Sequence, residues 1–225
     1  QGVSPNVASF LGATNVRMHV IGQADRAPTS VELESMQDIV HKAMSEGAMG
    51  LASALIYAPG AYATTDELIA LAEVVAQYNG MYISHLRSES ANLEGAVEEL
   101  IRIAESANVR AEIYHLKAAG KSNWQKIDRV IELIEEARDR GTRITADMYP
   151  YVAGASGLDA SMPLWVQEGG YADWVKRLQD PDVRKQVLNE MNSTSTDWEN
   201  MYQLAGPDGI VFESFRNDDL RQYIG

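Results

Sequence analysis

Met81-Tyr82-Ile83-Ser84-His85 and Ala111-Glu112-Ile113-Tyr114-His115 are two short apolar runs, each closed by a histidine, and the histidines stand 30 residues apart. Each run reads as a buried strand, and a helical pattern fills the interval between them. In a parallel βαβ unit the two imidazoles then emerge side by side at the C-terminal edge of the sheet. Active sites of open and barrel α/β folds sit at that edge. A histidine pair there is a candidate metal site. The residues alone leave a plainer alternative open, in which one histidine packs in the core and the other faces solvent.

Outward from this pair, strand and helix alternate. Asn15 to Val20 reads as a first strand. A helix is expected from about Ser30, with Leu33, Met36, Ile39, Val40 and Ala43 on one face and Gly47 as its stop. Gly50 to Ile56 reads as the next strand. Thr65 then caps a helix whose Leu68, Leu71, Ala72 and Val75 make an i, i+3, i+4, i+7 stripe. Further helices are expected from about Leu93 to Ser106 and Asn123 to Arg140, with a fifth strand from Arg143 to Tyr149. Strands alternating with helices imply a parallel sheet with right-handed crossovers. After Gly154 the rhythm changes to short helices near Tyr171–Gln179 and Pro181–Asn192 and a short strand at Gly209–Phe215. Residues 1–153 therefore read as βα units and residues 154–225 as a helical and loop elaboration of the same domain.

Composition narrows the function. A net charge of −13 argues against nucleic acid, whose phosphates demand clustered Lys and Arg, and against an anionic membrane surface. A small anionic substrate is still compatible, because local cations override a global field. The chain has no cysteine, so any zinc must be held by His and carboxylate, and a reducing cytoplasm is the expected setting. The apolar stretch from Gly47 to Ala63 is interrupted by Pro59 and is too short to span a bilayer.

The flanks of the two histidines are more specific. They read Ser84-His85-Leu86-Arg87-Ser88-Glu89 and His115-Leu116-Lys117-Ala118-Ala119-Gly120, followed by Asp147-Met148-Tyr149-Pro150-Tyr151. Upstream stands Glu46-Gly47-Ala48-Met49-Gly50-Leu51-Ala52-Ser53-Ala54-Leu55-Ile56-Tyr57-Ala58-Pro59-Gly60. In this order, from about Asn6 to Gly225, the motifs resemble the N-acyl-D-amino-acid deacylases (D-aminoacylases) of the amidohydrolase superfamily. The resemblance implies an α/β fold, a partial TIM-type (β/α) barrel covering about strands three to seven of eight. It implies a zinc-dependent enzyme that cleaves the amide of an N-acyl-D-amino acid by means of a zinc-activated water.

By the same match, His85 and His115 resemble the family's two histidine zinc ligands on consecutive strands. Lys117 resembles the cation that grips the substrate α-carboxylate, and Tyr149 its hydrogen-bonding partner. Arg87 and Glu89, on the loop after His85, read either as a structural ion pair or as part of the substrate surround, with Arg87 a second candidate for binding an anionic substrate. His19, at the end of the expected first strand, reads as a core or loop residue, and His41 as a helix-surface one.

The family's His-x-His pair is absent from this sequence, its bridging metal ligand, usually Cys or sometimes an acidic residue, is expected upstream of the segment, and its catalytic Asp is expected beyond Gly225, so no general acid/base is assigned within it. Leu116 stands where many relatives carry a second histidine, and Ala155-Ser156 displaces a serine that relatives place near the substrate. The segment by itself is therefore expected to be inactive, and bare sheet edges make self-association an expectation. The competing readings are an amidohydrolase acting on cyclic amides and a non-catalytic binding or assembly module.

Overall fold

The computed structural model describes residues 5–194 and 197–225. Five parallel strands lie in the order β1-β2-β3-β4-β5: β1 Leu11–Gly12, β2 Gly50–Ala54, β3 Met81–His85, β4 Arg110–Ile113 and β5 Ile144–Ala146. Because each strand pairs with its neighbour in sequence, every crossover steps in the same direction. Right-handed crossovers then put the intervening helices on one face of the sheet. An open doubly wound sheet would reverse its order and carry helices on both faces, whereas an unbroken order is the arc of a (β/α) barrel.

Those helices are α1 Ala13–Val20, α2 Ser30–Ser45, α3 Thr65–Gln77, α4 Leu93–Ala107 and α5 Lys126–Asp139. Their apolar stripes meet the sheet in one continuous core that includes Met36, Val40, Leu68, Leu71, Val97, Leu100, Val130 and Ile134, around Leu51, Tyr82, Ala111 and Ile113 of the strands. The ends are set by local chemistry. Thr29 and Glu32 form a reciprocal capping box at the start of α2, and Asn108 closes α4 in the left-handed conformation (φ 49°). The caps fall one residue before the expected ones, on Thr29 and Thr64.

Two sequence expectations are corrected. Asn15 to Val20 is helix, not strand, and β1 is Leu11–Gly12, directly before that helix begins at Ala13. Val16, Met18 and Val20 alternate as in a strand, but the residues actually buried are Ala13, Val16 and Arg17, an i, i+3, i+4 stripe. His19 therefore sits exposed on α1 rather than at a strand tip. Gly209–Phe215 forms no strand either. Pro207–Gly209 is a 3-10 turn, and Val211 is exposed with no strand beside it.

After β5 the chain forms α6 Leu164–Gln167, α7 Tyr171–Arg177, α8 Pro181–Met191 and α9 Met201–Ala205. Part of this region returns to the barrel. Glu199, just before α9, is buried against the loop that follows β3.

Candidate metal centre

The strand tips do not align as the two apolar runs suggest. β3 and β4 pair Met81 with Arg110 and Ser84 with Ile113, so the residue level with His85 is Tyr114, not His115. Regular strand alternation would point residue 115 to the opposite face from 114 and out of step with His85. His115 instead adopts a left-handed conformation, φ 42°, which breaks that alternation. The kink is held from β5: Asp147 Oδ1 accepts the His115 amide at 2.5 Å, and Leu116 N donates to the Asp147 carbonyl at 2.8 Å.

The outcome is convergence. His85 Nδ1 and His115 Nε2 are 2.9 Å apart, with ring centroids 4.6 Å apart. Glu89, four residues beyond His85, turns its carboxylate back over the pair: Oε1 lies 3.0 Å from His115 Nδ1 and Oε2 3.7 Å from His85 Nε2. One donor atom from each of His85, Glu89 and His115 lies within 4.8 Å of the other two. Lys117 Nζ donates to Glu89 Oε1 at 2.6 Å and to His115 Nδ1 at 2.8 Å, and it stands 5.5 Å from the centre of the Tyr149 ring. Tyr57 packs on His85 at 5.5 Å between centroids, and its hydroxyl meets Ser156 Oγ at 3.0 Å.

Burial sets the protonation states. It pushes the His85 pKa down to about 3, with His115 and Lys117 adding to the shift. The pKa of His115 is lowered as well, by burial first and then by Lys117. Both imidazoles are therefore neutral at pH 7, each with a lone pair to offer. Burial raises Glu89 to about 7 against the opposing pull of Lys117, with Glu199 adding to the rise. Tyr149 is raised by burial and by the Glu89 charge.

Of the residues singled out in the sequence, His85, His115, Lys117 and Tyr149 are gathered at one place. Arg87 is not bonded to them among the described residues. Its guanidinium makes a bidentate pair with Glu99 at 2.9 Å and donates to the carbonyls of Ala61 and Ala63 at 2.8 Å, tying the β3–α4 loop to α4 and to the loop after β2. Three contributors were not picked out from the sequence: Glu89 in its direct contact with the histidines, Asp147 as the anchor of the His115 kink, and Glu199. The His-x-x-x-Glu spacing of residues 85 and 89 was a usable signal for the first. The other two depend on tertiary contacts.

An arc of consecutive parallel strands with a His-Glu-His cluster at its C-terminal tips is part of a (β/α) barrel with a candidate metal site at its mouth. No family model matches the chain. It is 35% identical over 153 residues to the D-aminoacylase of Alcaligenes xylosoxydans xylosoxydans, a match covering 68% of this chain and 31% of that protein. The N-acyl-D-glutamate deacylase of the same organism is 31% identical over 146 residues, covering 65% and 30% of the two chains. The crystal structure of N-acyl-D-glutamate deacylase from Bordetella bronchiseptica, complexed with zinc and a phosphonate mimic of the tetrahedral intermediate, superposes with a TM-score of 0.63 at 35% identity over 65% of this chain and 31% of that one. A D-aminoacylase crystal structure, described as defining a novel subset of amidohydrolases, gives a TM-score of 0.64 at 33% identity, over 66% and 31% of the two chains. Over the matched segment, sequence and fold alike are similar to the D-aminoacylase group of amidohydrolases. The chain spans about a third of the length of the curated relatives it matches.

Proposed function

We propose that the protein carrying this chain is a zinc-dependent deacylase that hydrolyses N-acyl-D-amino acids to a D-amino acid and a carboxylate. The observation that carries the reading is the meeting of His85, His115 and Glu89 at the C-terminal strand tips, with His85 Nε2 buried and without a hydrogen-bond partner. A buried ring nitrogen left unpaired is costly unless something else takes it up. Two neutral imidazoles and a carboxylate are a zinc donor set, and three protein ligands with an open fourth position are what a catalytic zinc needs. The residues present therefore fit the ion, with His85, His115 and Glu89 holding it. Bound zinc supplies Lewis acidity, polarising an amide carbonyl and lowering the pKa of a coordinated water.

The remaining residues bind and orient the substrate. Lys117 is the fixed cation for the substrate α-carboxylate, with the Tyr149 hydroxyl as the second anchor, and holding that group positions the scissile amide over the cluster. Proteins similar to the chain include a D-aminoacylase and deacylases of N-acyl-D-glutamate and N-acyl-D-aspartate, which supports an open-chain N-acyl-D-amino acid as substrate. No helix among the described residues is long and apolar enough to cross a membrane. The absence of cysteine supports a cytoplasmic setting. The outer edges of β1 and β5, which pair with no further strand among the described residues, support self-association of the isolated chain, which light scattering would register as a dimer mass.

The test is turnover by the full-length protein of N-acetyl-D-methionine against its L-enantiomer and against cyclic amides. Zinc-dependent release of the D-amino acid, abolished in His85→Asn and in His115→Asn, is expected. Turnover confined to cyclic amides, or activity untouched by both substitutions, would overturn the proposal.

A further inference from the structure

Among the described residues, the buried Glu199 carboxylate bonds only to the loop after β3. Its Oε1 accepts the Glu89 backbone amide at 3.0 Å, and its Oε2 accepts both the Ser88 and Ser90 hydroxyls at 2.8 Å. All four residues are buried. These bonds grip three successive residues of the loop after β3 from a segment 110 positions away in sequence. Each of the three donors is neutral.

The geometry selects a carboxylate at this point. Ser88 Oγ already accepts the amides of Ser90 and Asn92, each at 3.2 Å, so its hydroxyl has only its proton left to give. An amide at position 199 would present its NH2 either to that hydroxyl or to the Glu89 N–H, a donor facing a donor in both orientations. The loop is thus built around a permanent acceptor.

Glu89 is consequently fixed at three points. Glu199 holds its amide, Ala119 N donates to its carbonyl at 2.7 Å, and Lys117 holds its carboxylate at 2.6 Å. With backbone and tip both fixed, the carboxylate stays over His85 and His115 before any ligand arrives. Such outer contacts typically tune a metal site by tenfold to about a hundredfold in affinity.

We propose that Glu199 is a positioning residue that orients Glu89 toward the two histidines and thereby sets the zinc affinity of the site. The proposal rests on the zinc reading of the cluster given above. It goes further in making the segment before α9 part of the metal site's support rather than a passive covering of the barrel.

The experiment is a double-mutant cycle on zinc affinity in the full-length protein, by competition with a chromophoric chelator. Glu89→Gln and Glu199→Gln are measured singly and together, with near-UV circular dichroism to establish that each is folded. Each single change is expected to weaken zinc binding by about ten- to a hundredfold. The double variant is expected to bind no more weakly than Glu89→Gln alone, because Glu199 acts only through Glu89. The d–d spectrum of the cobalt-loaded protein should change in Glu199→Gln in the same direction as in Glu89→Gln. Should Glu199→Gln fail to fold, the Ser88→Ala/Ser90→Ala pair decides in its place, a loss of affinity supporting the proposal and an unchanged affinity refuting it. Wild-type affinity in a folded Glu199→Gln, or losses that simply multiply in the double variant, would overturn the positioning role while leaving the zinc reading intact. A wild-type protein that takes up no zinc would remove both.

Discussion

Replacing Glu89 by glutamine in metal-free protein should change the pH dependence of stability in a way that only a desolvated carboxyl can produce. Burial raises Glu89 from 4.5 to about 7 in the folded protein. A carboxyl that binds its proton more tightly when folded than when unfolded favours folding below pH 4.5. It loses that advantage progressively as the pH rises through about 7. At about 1.4 kcal/mol per pKa unit, the loss amounts to roughly 3 kcal/mol between pH 4 and pH 8. His85 acts in the opposite sense. Lowered to about 3, it adds stability as the pH climbs from 3 to 6.5, so the two groups mask each other in the wild type.

The depression of His85 comes from burial, His115 and Lys117 rather than from Glu89, so it persists in the variant and cancels in the difference. Urea unfolding of both chelator-treated proteins at half-unit pH steps gives that difference directly. Glu89→Gln should gain about 3 kcal/mol relative to wild type on going from pH 4 to pH 8, whatever fixed offset the lost Lys117 bond adds. A difference that stays level over this range would refute the reasoning, because it would mean that Glu89 titrates as an ordinary solvated carboxyl.

Other consequences are structural. Glu67→Ala should cost about 3–5 kcal/mol, read as a fall in unfolding midpoint, because it strands the Arg17 guanidinium, which is 1% exposed and pairs with Glu67 at 2.5 Å. Gly50→Ala should destabilise by at least about 2 kcal/mol, or leave the protein insoluble, since a Cβ there would stand 1.9 Å from the Met81 carbonyl oxygen across the β2–β3 pairing; thermal unfolding and expression yield report it. Thr29→Ala should remove about 1 kcal/mol through loss of the α2 capping box, seen in denaturant unfolding, with metal affinity unchanged.

How far the sequence disclosed this arrangement depended on the range of the interactions involved. The four helices α2 to α5 and the strands from β2 to β5 are written in local periodicity; the caps of α2 and α3 lie within one residue of the expected positions, while α5 starts at Lys126, three residues after the expected Asn123. Asn15–Val20 misled because six residues with apolar side chains at every second place satisfy a strand and a short helix equally. Only packing against α2 and β2 separates the two. The meeting of His85 and His115 was expected from their positions at consecutive strand ends. The mechanism of that convergence was not, because the one-residue offset in register and the left-handed kink that corrects it arise between β3, β4 and β5. Glu89 lay in plain view four residues after His85, paired on paper with Arg87. In the fold, Arg87 turns to Glu99 and frees Glu89 for Lys117 and the histidines. Glu199 carried no local signal at all, since its partners lie about 110 residues earlier.

The most direct measurement is an anomalous-difference map from crystals of the full-length protein soaked in zinc, with data on both sides of the zinc edge. The account predicts a peak at the tips of β3 and β4, about 2.0–2.2 Å from a ring nitrogen of His85, a ring nitrogen of His115 and a carboxylate oxygen of Glu89. Zinc bound elsewhere, with His85 and His115 still hydrogen-bonded to each other, would contradict it.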